Sequence, residues 1–293
     1  MMAQENDASL PVSSLGIAGA GLIGASIAAR AAEAMPGVVL KVFDRSYQNA
    51  AHVAGMWSNA TVAESLDELK PCDLVFVATP VGAIAETVTA LLADEDRRLV
   101  VVDTGSVKGS VVEMVKAGSA GHARFVPGHP LAGSHLSGPQ AASPELVEGR
   151  VFVLTPTGET APDALALARA TLDVLGARVV VTDPTAHDEL LALTSHLPHV
   201  VAYALMAGLD AREPDEARDR LIAGSFRAQT VFAASDPEMW ADILIANADA
   251  VERAARDFNG EVERFVRFAR AGDKQAIMKR IALIRDMRKA IGD

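Results

Sequence analysis

The sequence predicts an α/β domain followed by an all-helical one, and three observations carry that prediction. Short β-branched runs alternate with alanine-rich stretches from about Leu15 to Asp183. Three glycines, Gly19, Gly21 and Gly24, close the first such run and open the first helical stretch. After Asp183 glycine thins out, strand signals vanish, and apolar residues recur at helical spacing. A chain of 293 residues is long for one core and comfortable for two domains.

Candidate strands are Leu15–Ala20, Val38–Phe43, Leu74–Ala78, Leu99–Val102, Arg124–Val126, Val151–Leu154 and Arg178–Val181. Their short, mostly apolar runs fit strands buried on both faces of a mostly parallel sheet. His187–Leu209, Asp215–Ile222, Pro237–Phe268 and Lys274–Ile291 are expected as helices, with Pro184, Pro214 and Pro237 near their starts. Residues 1–12 are polar, carry Glu5 and Asp7, and lack the basic and apolar regions of a signal peptide, so a disordered start is expected. The domains are therefore placed at 13–183 and 184–293. The predicted fold is an α/β Rossmann-like N-terminal domain with an all-helical C-terminal domain suited to dimerisation.

The glycine spacing has a physical purpose. Gly19 permits a tight turn, Gly21 lets a pyrophosphate approach the backbone, and Gly24 lets helix and strand pack closely. Leu22 and Ile23 open the helix, whose unpaired N–H groups favour phosphate. Asp44 follows the next strand, twenty residues beyond Gly24, where an acid binds the adenine ribose hydroxyls. A carboxylate there opposes a 2′-phosphate, which favours NAD over NADP, although Arg45 and Ser46 could soften the preference. Thr79 and Pro80 follow the third candidate strand, and Asp103 and Ser106 follow the fourth. Ligands of open α/β sheets bind outside the carboxyl ends of strands, so both loops should face the nicotinamide half of the cofactor.

Composition excludes several classes. A formal charge of −11 argues against nucleic acid or an anionic membrane surface as partner. No apolar run approaches the roughly 20 residues of a membrane span. Cys72 is the single cysteine, so there is neither an intrachain disulfide nor a cysteine-rich metal site, and a reducing cytoplasm is the simplest setting.

Seven histidines remain to be placed. His52 and His122 lie among polar or small residues and suit the surface. His129 is fixed before Pro130 in the glycine-rich run Gly128–Gly138, a separately presented proton acceptor whose ordinary pKa lies near working pH. His187, His196 and His199 share one expected helix. His196 and His199 are three apart, yet no third ligand follows at a zinc spacing, so no metal is expected. His196 suits a packed interior position. His199 is expected to face a substrate, because Pro198 disturbs the helix ladder beside it.

Taken together, these segments resemble the prephenate/arogenate (cyclohexadienyl) dehydrogenase family of tyrosine biosynthesis. The residues that carry the resemblance are Gly19–Gly24, Asp103–Lys108, His129–Gly133, His187-Asp188, Ser195–His199, Ser235–Pro237 and Met239-Trp240. The resemblance implies NAD-dependent oxidative decarboxylation of a small cyclohexadienyl acid in a cleft between the two domains of a homodimer. It gives His129 the role of base, Ser106 that of orienting the same hydroxyl, and Ser195, His199 and Trp240 contacts to the substrate. One position departs from the family: Val231 stands where many relatives have a carboxylate-binding arginine, leaving Arg227, one turn earlier, as the candidate replacement. His135 stands where some arogenate users carry an acid, which favours prephenate over arogenate. Two other classes fit less well. The hydroxyacid dehydrogenases need a lysine in the second domain, and none lies between His187 and Gly260. A dinucleotide-sensing module without catalysis would have no use for Ser106, His129 and His199.

Overall fold

The computed structural model describes residues 10–94, 98–132, 138–211 and 220–292. Six parallel strands form its central sheet: β1 (Ser14–Ala18), β2 (Val39–Phe43), β3 (Ala60–Val62), β4 (Leu74–Val77), β5 (Val100–Asp103) and β6 (Phe125–Val126). Their order is β3-β2-β1-β4-β5-β6, so the winding direction reverses between β1 and β4. Residues of β4 and β5 are buried throughout, as expected of strands covered on both faces. Alternate side chains divide between two cores: Phe76 and Val102 enter one, while Val75, Val77 and Val101 enter the other. The first core is covered by α1 (Leu22–Ala34) and α5 (Pro162–Val174), the second by α3 (Val81–Leu91) and α4 (Gly109–Gly118). The remaining helix of this half, α2 (Tyr47–Ala54), packs beside β2.

Two features differ from the single sheet expected on sequence. The last candidate strands leave the central sheet and form a second one, β7-β8-β9, from Gly128–Pro130, Val151–Leu154 and Arg178–Val181. β7 runs antiparallel to β8 and pairs His129 with Val153. Neither β7 nor β3 was expected. Each has three residues, and β7 contains a glycine and a proline, so no periodicity could announce it. Order also begins earlier than residue 13, because Val12 is buried in the core and Ser13 donates from its backbone N–H to Asp73 at 2.8 Å. Residues 1–9 lie outside the described ones.

The helical half starts with α6 (Pro184–Leu191), capped by Asp183, whose carboxylate accepts from the N–H groups of Thr185 and Ala186. One π turn, Ala192–His196, joins it to α7 (Leu197–Asp210). The wider turn places Pro198, which has no N–H to donate, in the first turn of α7 without breaking the rod. Pro184–Asp210 is thus a continuous 27-residue helix containing an 18-residue window of mean hydropathy 1.4, long and apolar enough by length and composition to cross a membrane. No continuous apolar run announces it in the sequence, because His187, Asp188, Glu189, His196 and His199 punctuate it. Four of them, His187, Asp188, Glu189 and His196, bond to other parts of the chain. The helix is therefore tied to the rest of the chain through its polar residues, while most of its apolar surface is left open.

Next come α8 (Gly224–Thr230), α9 (Pro237–Ala246), α10 (Ala248–Arg270) and α11 (Lys274–Ile291). The helix expected at Pro237–Phe268 is broken at Asn247, which is buried and donates its side-chain amide to the backbone carbonyl of Asp188 at 2.9 Å. Residues 212–219, with most of the helix expected at Asp215–Ile222, lie outside the described residues. Leu190, Leu193, Leu205, Ile245, Met278, Ile281 and Met287 leave a broad apolar surface on this half.

Candidate active site

The reversal point between β1 and β4 holds a cradle built from glycine. Gly19 has φ +103°, and a Cβ there would stand 2.5 Å from the carbonyl oxygen of Ala78. A Cβ on Gly24 would stand 1.8 Å from the carbonyl oxygen of Gly19, so only glycine lets α1 sit this close to β1. Over Gly21 the reverse holds: a Cβ would meet nothing within 4 Å, and the space is open to a ligand. No side chain caps the N-terminus of α1, which leaves the N–H groups around Leu22 and Ile23 for an anion. Asp44 is held by backbone N–H bonds from Ala20 and Ser46, both 2.7 Å, which aim its carboxylate at the cradle's rim; Arg45 beside it is exposed. Across the reversal point the hydroxyl of Thr79 is buried without a hydrogen-bond partner among the described residues. An orphaned buried hydroxyl at the carboxyl end of β4, next to exposed Pro80, is a waiting polar contact. The tight turn, the open approach and the orphaned hydroxyl fit a dinucleotide.

Beside this cradle β7 presents His129. Asp103, expected on sequence to face the cofactor, is fully buried and serves the interior. One carboxylate oxygen accepts from the N–H of Gly128 at 2.9 Å; the other accepts from the N–H of Gly105 and from the ammonium of Lys108. Lys108, also fully buried, donates to the carbonyl of Gly128 at 2.7 Å. Gly128 has no room for a side chain, since a Cβ would lie 2.7 Å from the ring of Phe152 and 2.8 Å from the carbonyl oxygen of Asp103. Ser106 sits half-buried on the loop between Asp103 and Lys108.

The ring of His129 has a specific neighbour. Its Nδ1 lies 2.9 Å from Nε2 of His187, and the Nδ1 of His187 lies 2.8 Å from a carboxylate oxygen of Asp188. Asp188 also accepts the N–H of Lys108 at 2.9 Å and that of Gly109 at 2.7 Å. Burial, reinforced by the charge of Lys108, pushes the pKa of His129 well below the usual histidine range. The acceptor is thus neutral over a wider span than its residue type suggests.

A second group of side chains surrounds His199. Its ring stacks on buried Trp240, with centroids 3.5 Å apart and planes 23° apart, and lies 4.6 Å from the ring of Phe232. Nδ1 of His199 donates to the carbonyl of half-buried Ser195 at 2.9 Å, which turns the other ring nitrogen away from the helix. His196 is fully buried; its Nδ1 accepts from Asn247 at 3.1 Å, and its Nε2 has no partner among the described residues. Burial lowers its pKa to about 4.

Two family models match the chain: the prephenate dehydrogenase nucleotide-binding domain over residues 28–181, and the prephenate dehydrogenase dimerization domain over residues 183–283. The chain belongs to the prephenate dehydrogenase family. The cyclohexadienyl dehydrogenase of Zymomonas mobilis is 37% identical over 81% of this chain and 82% of its own length. The prephenate dehydrogenase of Bacillus subtilis is 30% identical over 94% of this chain and 75% of its own. Among solved structures, prephenate dehydrogenase from Aquifex aeolicus in complex with hydroxyphenyl propionate and NAD+ superposes with a TM-score of 0.86 and 28% identity, covering 95% of this chain and 98% of that one.

For this member of the prephenate dehydrogenase family, the fold gathers only part of the expected substrate set. Ser195 in the π turn, His199 on α7 and Trp240 on α9 come together. Arg227 is exposed on α8, and Val231, in the following turn, is 62% exposed. His135 lies outside the described residues. His187, Asp188 and Lys108 fall in motifs that carry the resemblance but have no site role on sequence, and Phe232 has neither. The adjacent pair His187-Asp188 was visible as a motif, but its partner His129 is 58 residues away.

Proposed function

We propose that this protein catalyses the NAD-dependent oxidative decarboxylation of prephenate to 4-hydroxyphenylpyruvate. The observation that carries the reading is His129, anchored through Nδ1 and standing next to the carboxyl end of β5 beside the dinucleotide cradle. Gly19, Gly21, Leu22, Ile23, Gly24, Asp44 and Thr79 would hold NAD, which supplies the hydride acceptor when bound. His129 Nε2 takes the proton of the hydroxyl on C4 of the substrate ring, while Ser106 orients that hydroxyl. The C4–H bond breaks with its electron pair leaving as hydride. The bond from the ring to its carboxylate then breaks, CO2 departs, and the pair left behind makes the ring aromatic and its oxygen anionic. That oxygen takes the same proton back from Nε2, so His129 needs no outlet for it. His199 and Ser195, backed by Trp240, would hold the carboxylate-bearing side chain.

We further propose that the chain divides near residue 183 and pairs as a homodimer through the apolar surface of α6, α7, α10 and α11. A cytoplasmic setting agrees with buried Cys72, whose thiol burial pushes up to about 11 and so keeps unreactive. The test of function is NADH formation by the purified protein with prephenate and, separately, with arogenate. Turnover of prephenate at the higher kcat/KM supports the reading, preference for arogenate would replace the substrate, and turnover of neither would overturn it.

A further inference from the structure

We propose that His187 and Asp188 are positioning residues that lock His129 in the one tautomer able to act as base. The inference rests on the reading of His129 just given. Asp188 has nothing to donate here: one oxygen accepts the N–H of Gly109, and the other accepts the N–H of Lys108 while facing Nδ1 of His187. His187 must therefore carry its proton on Nδ1. In a neutral imidazole that leaves Nε2 as a lone pair. This lone pair faces Nδ1 of His129 at 2.9 Å, so Nδ1 of His129 must be the protonated nitrogen. The lone pair of His129 then resides on Nε2, the atom left for the substrate. The opposite tautomer would set a lone pair of His187 against a carboxylate oxygen at 2.8 Å. His187 is 2% and Asp188 7% exposed, so water cannot take over either contact.

The chain of contacts also spans the two halves of the molecule. Asp188 and His187 belong to α6, Lys108 and Gly109 to the start of α4, and His129 to β7. The base is thus set only when α6 is seated against the N-terminus of α4. When His129 gains the proton of the substrate hydroxyl, the same contacts spread its positive charge toward Asp188. The other charged or titratable groups acting on His129 are Lys108 and His196, and neither bonds to its ring.

Three variants and one spectrum test this. His187→Leu removes the acceptor, His187→Gln restores one through its amide oxygen, and Asp188→Asn offers a donor where only an acceptor fits. Expected are losses in kcat of about tenfold to thousandfold for His187→Leu and Asp188→Asn. Affinity for NAD should be unchanged within about twofold, and His187→Gln should regain part of the rate. Nitrogen-15 histidine spectra of the wild-type protein with NAD bound should show His129 protonated on Nδ1 at neutral pH. A spectrum with the proton on Nε2 overturns the proposal whatever the variants do. So does a folded His187→Leu that keeps kcat within threefold. A wild type that turns over neither prephenate nor arogenate defeats the functional reading instead, and the spectrum still decides the tautomer.

Discussion

The ammonium of Lys108 lies 2.7 Å from the carbonyl oxygen of Gly128, the residue immediately before His129. The N–H of the same glycine bonds to Asp103, the partner of that ammonium. One fully buried ion pair therefore holds the peptide groups on both sides of Gly128. Two charges withdrawn from water recover that cost only when every remaining donor and acceptor is satisfied. Here the glycine backbone satisfies them, and the rigidity so produced is delivered to the base.

Removing one charge of this pair should cost more than removing both. Lys108→Met is expected to destabilise the protein by about 3–5 kcal/mol, because Asp103 is left as an unpaired buried carboxylate. The double variant Lys108→Met, Asp103→Asn should recover a substantial part of that loss. Urea unfolding of the three proteins measures both quantities. A double variant no more stable than Lys108→Met would contradict this account.

His129→Asn should leave folding and NAD affinity intact and lower kcat by on the order of 10²–10⁴-fold. In the wild type the acidic limb of the kcat profile should lie below the ordinary histidine range. Burial and Lys108 favour the neutral ring, so the base stays competent as pH falls through 6.5. Steady-state rates across pH check both statements. An acidic limb at or above pH 6.5 would show that another group controls the rate.

NAD should be used in preference to NADP by about tenfold to a hundredfold in kcat/KM, the usual scale of one close like-charge clash. Asp44 sits at the rim with both oxygens oriented by backbone N–H groups and cannot swing away without losing them. Asp44→Ser should narrow the ratio. Equal use of both cofactors by the wild type would show that exposed Arg45 dominates instead.

Stability should fall as the solution is acidified from about pH 6.5 to about pH 4. The folded pKa of His196 is depressed to about 4, so the unfolded chain binds a proton in that window and the folded chain does not. The shift corresponds to about 3 kcal/mol, lost progressively across the window and constant below it. Urea midpoints at several pH values should trace this slope, and His196→Gln should flatten it. An unchanged slope in that variant would assign the effect to other groups.

The sequence by itself determined everything that depends on near neighbours along the chain. Gly19, Gly21 and Gly24 were legible because a turn, an approach and a close packing each leave a glycine at fixed spacing. The alternation of β-branched and alanine-rich runs was legible because strand and helix differ in period. Ser195, His199 and Trp240 were legible through resemblance, and the fold does bring them together. Tertiary structure alone decided the rest. Asp103 turned inward because Lys108, five residues on, and Gly128, close to it only after folding, offered stronger partners than the cleft. β7 exists because β8 lends it hydrogen bonds that three residues cannot supply alone. His129 meets His187 because α6 docks on α4, and a contact across 58 residues leaves no periodic trace in the chain. Local spacing encodes elements, whereas the pairing of buried polar groups is settled only when water is excluded and each must find a partner.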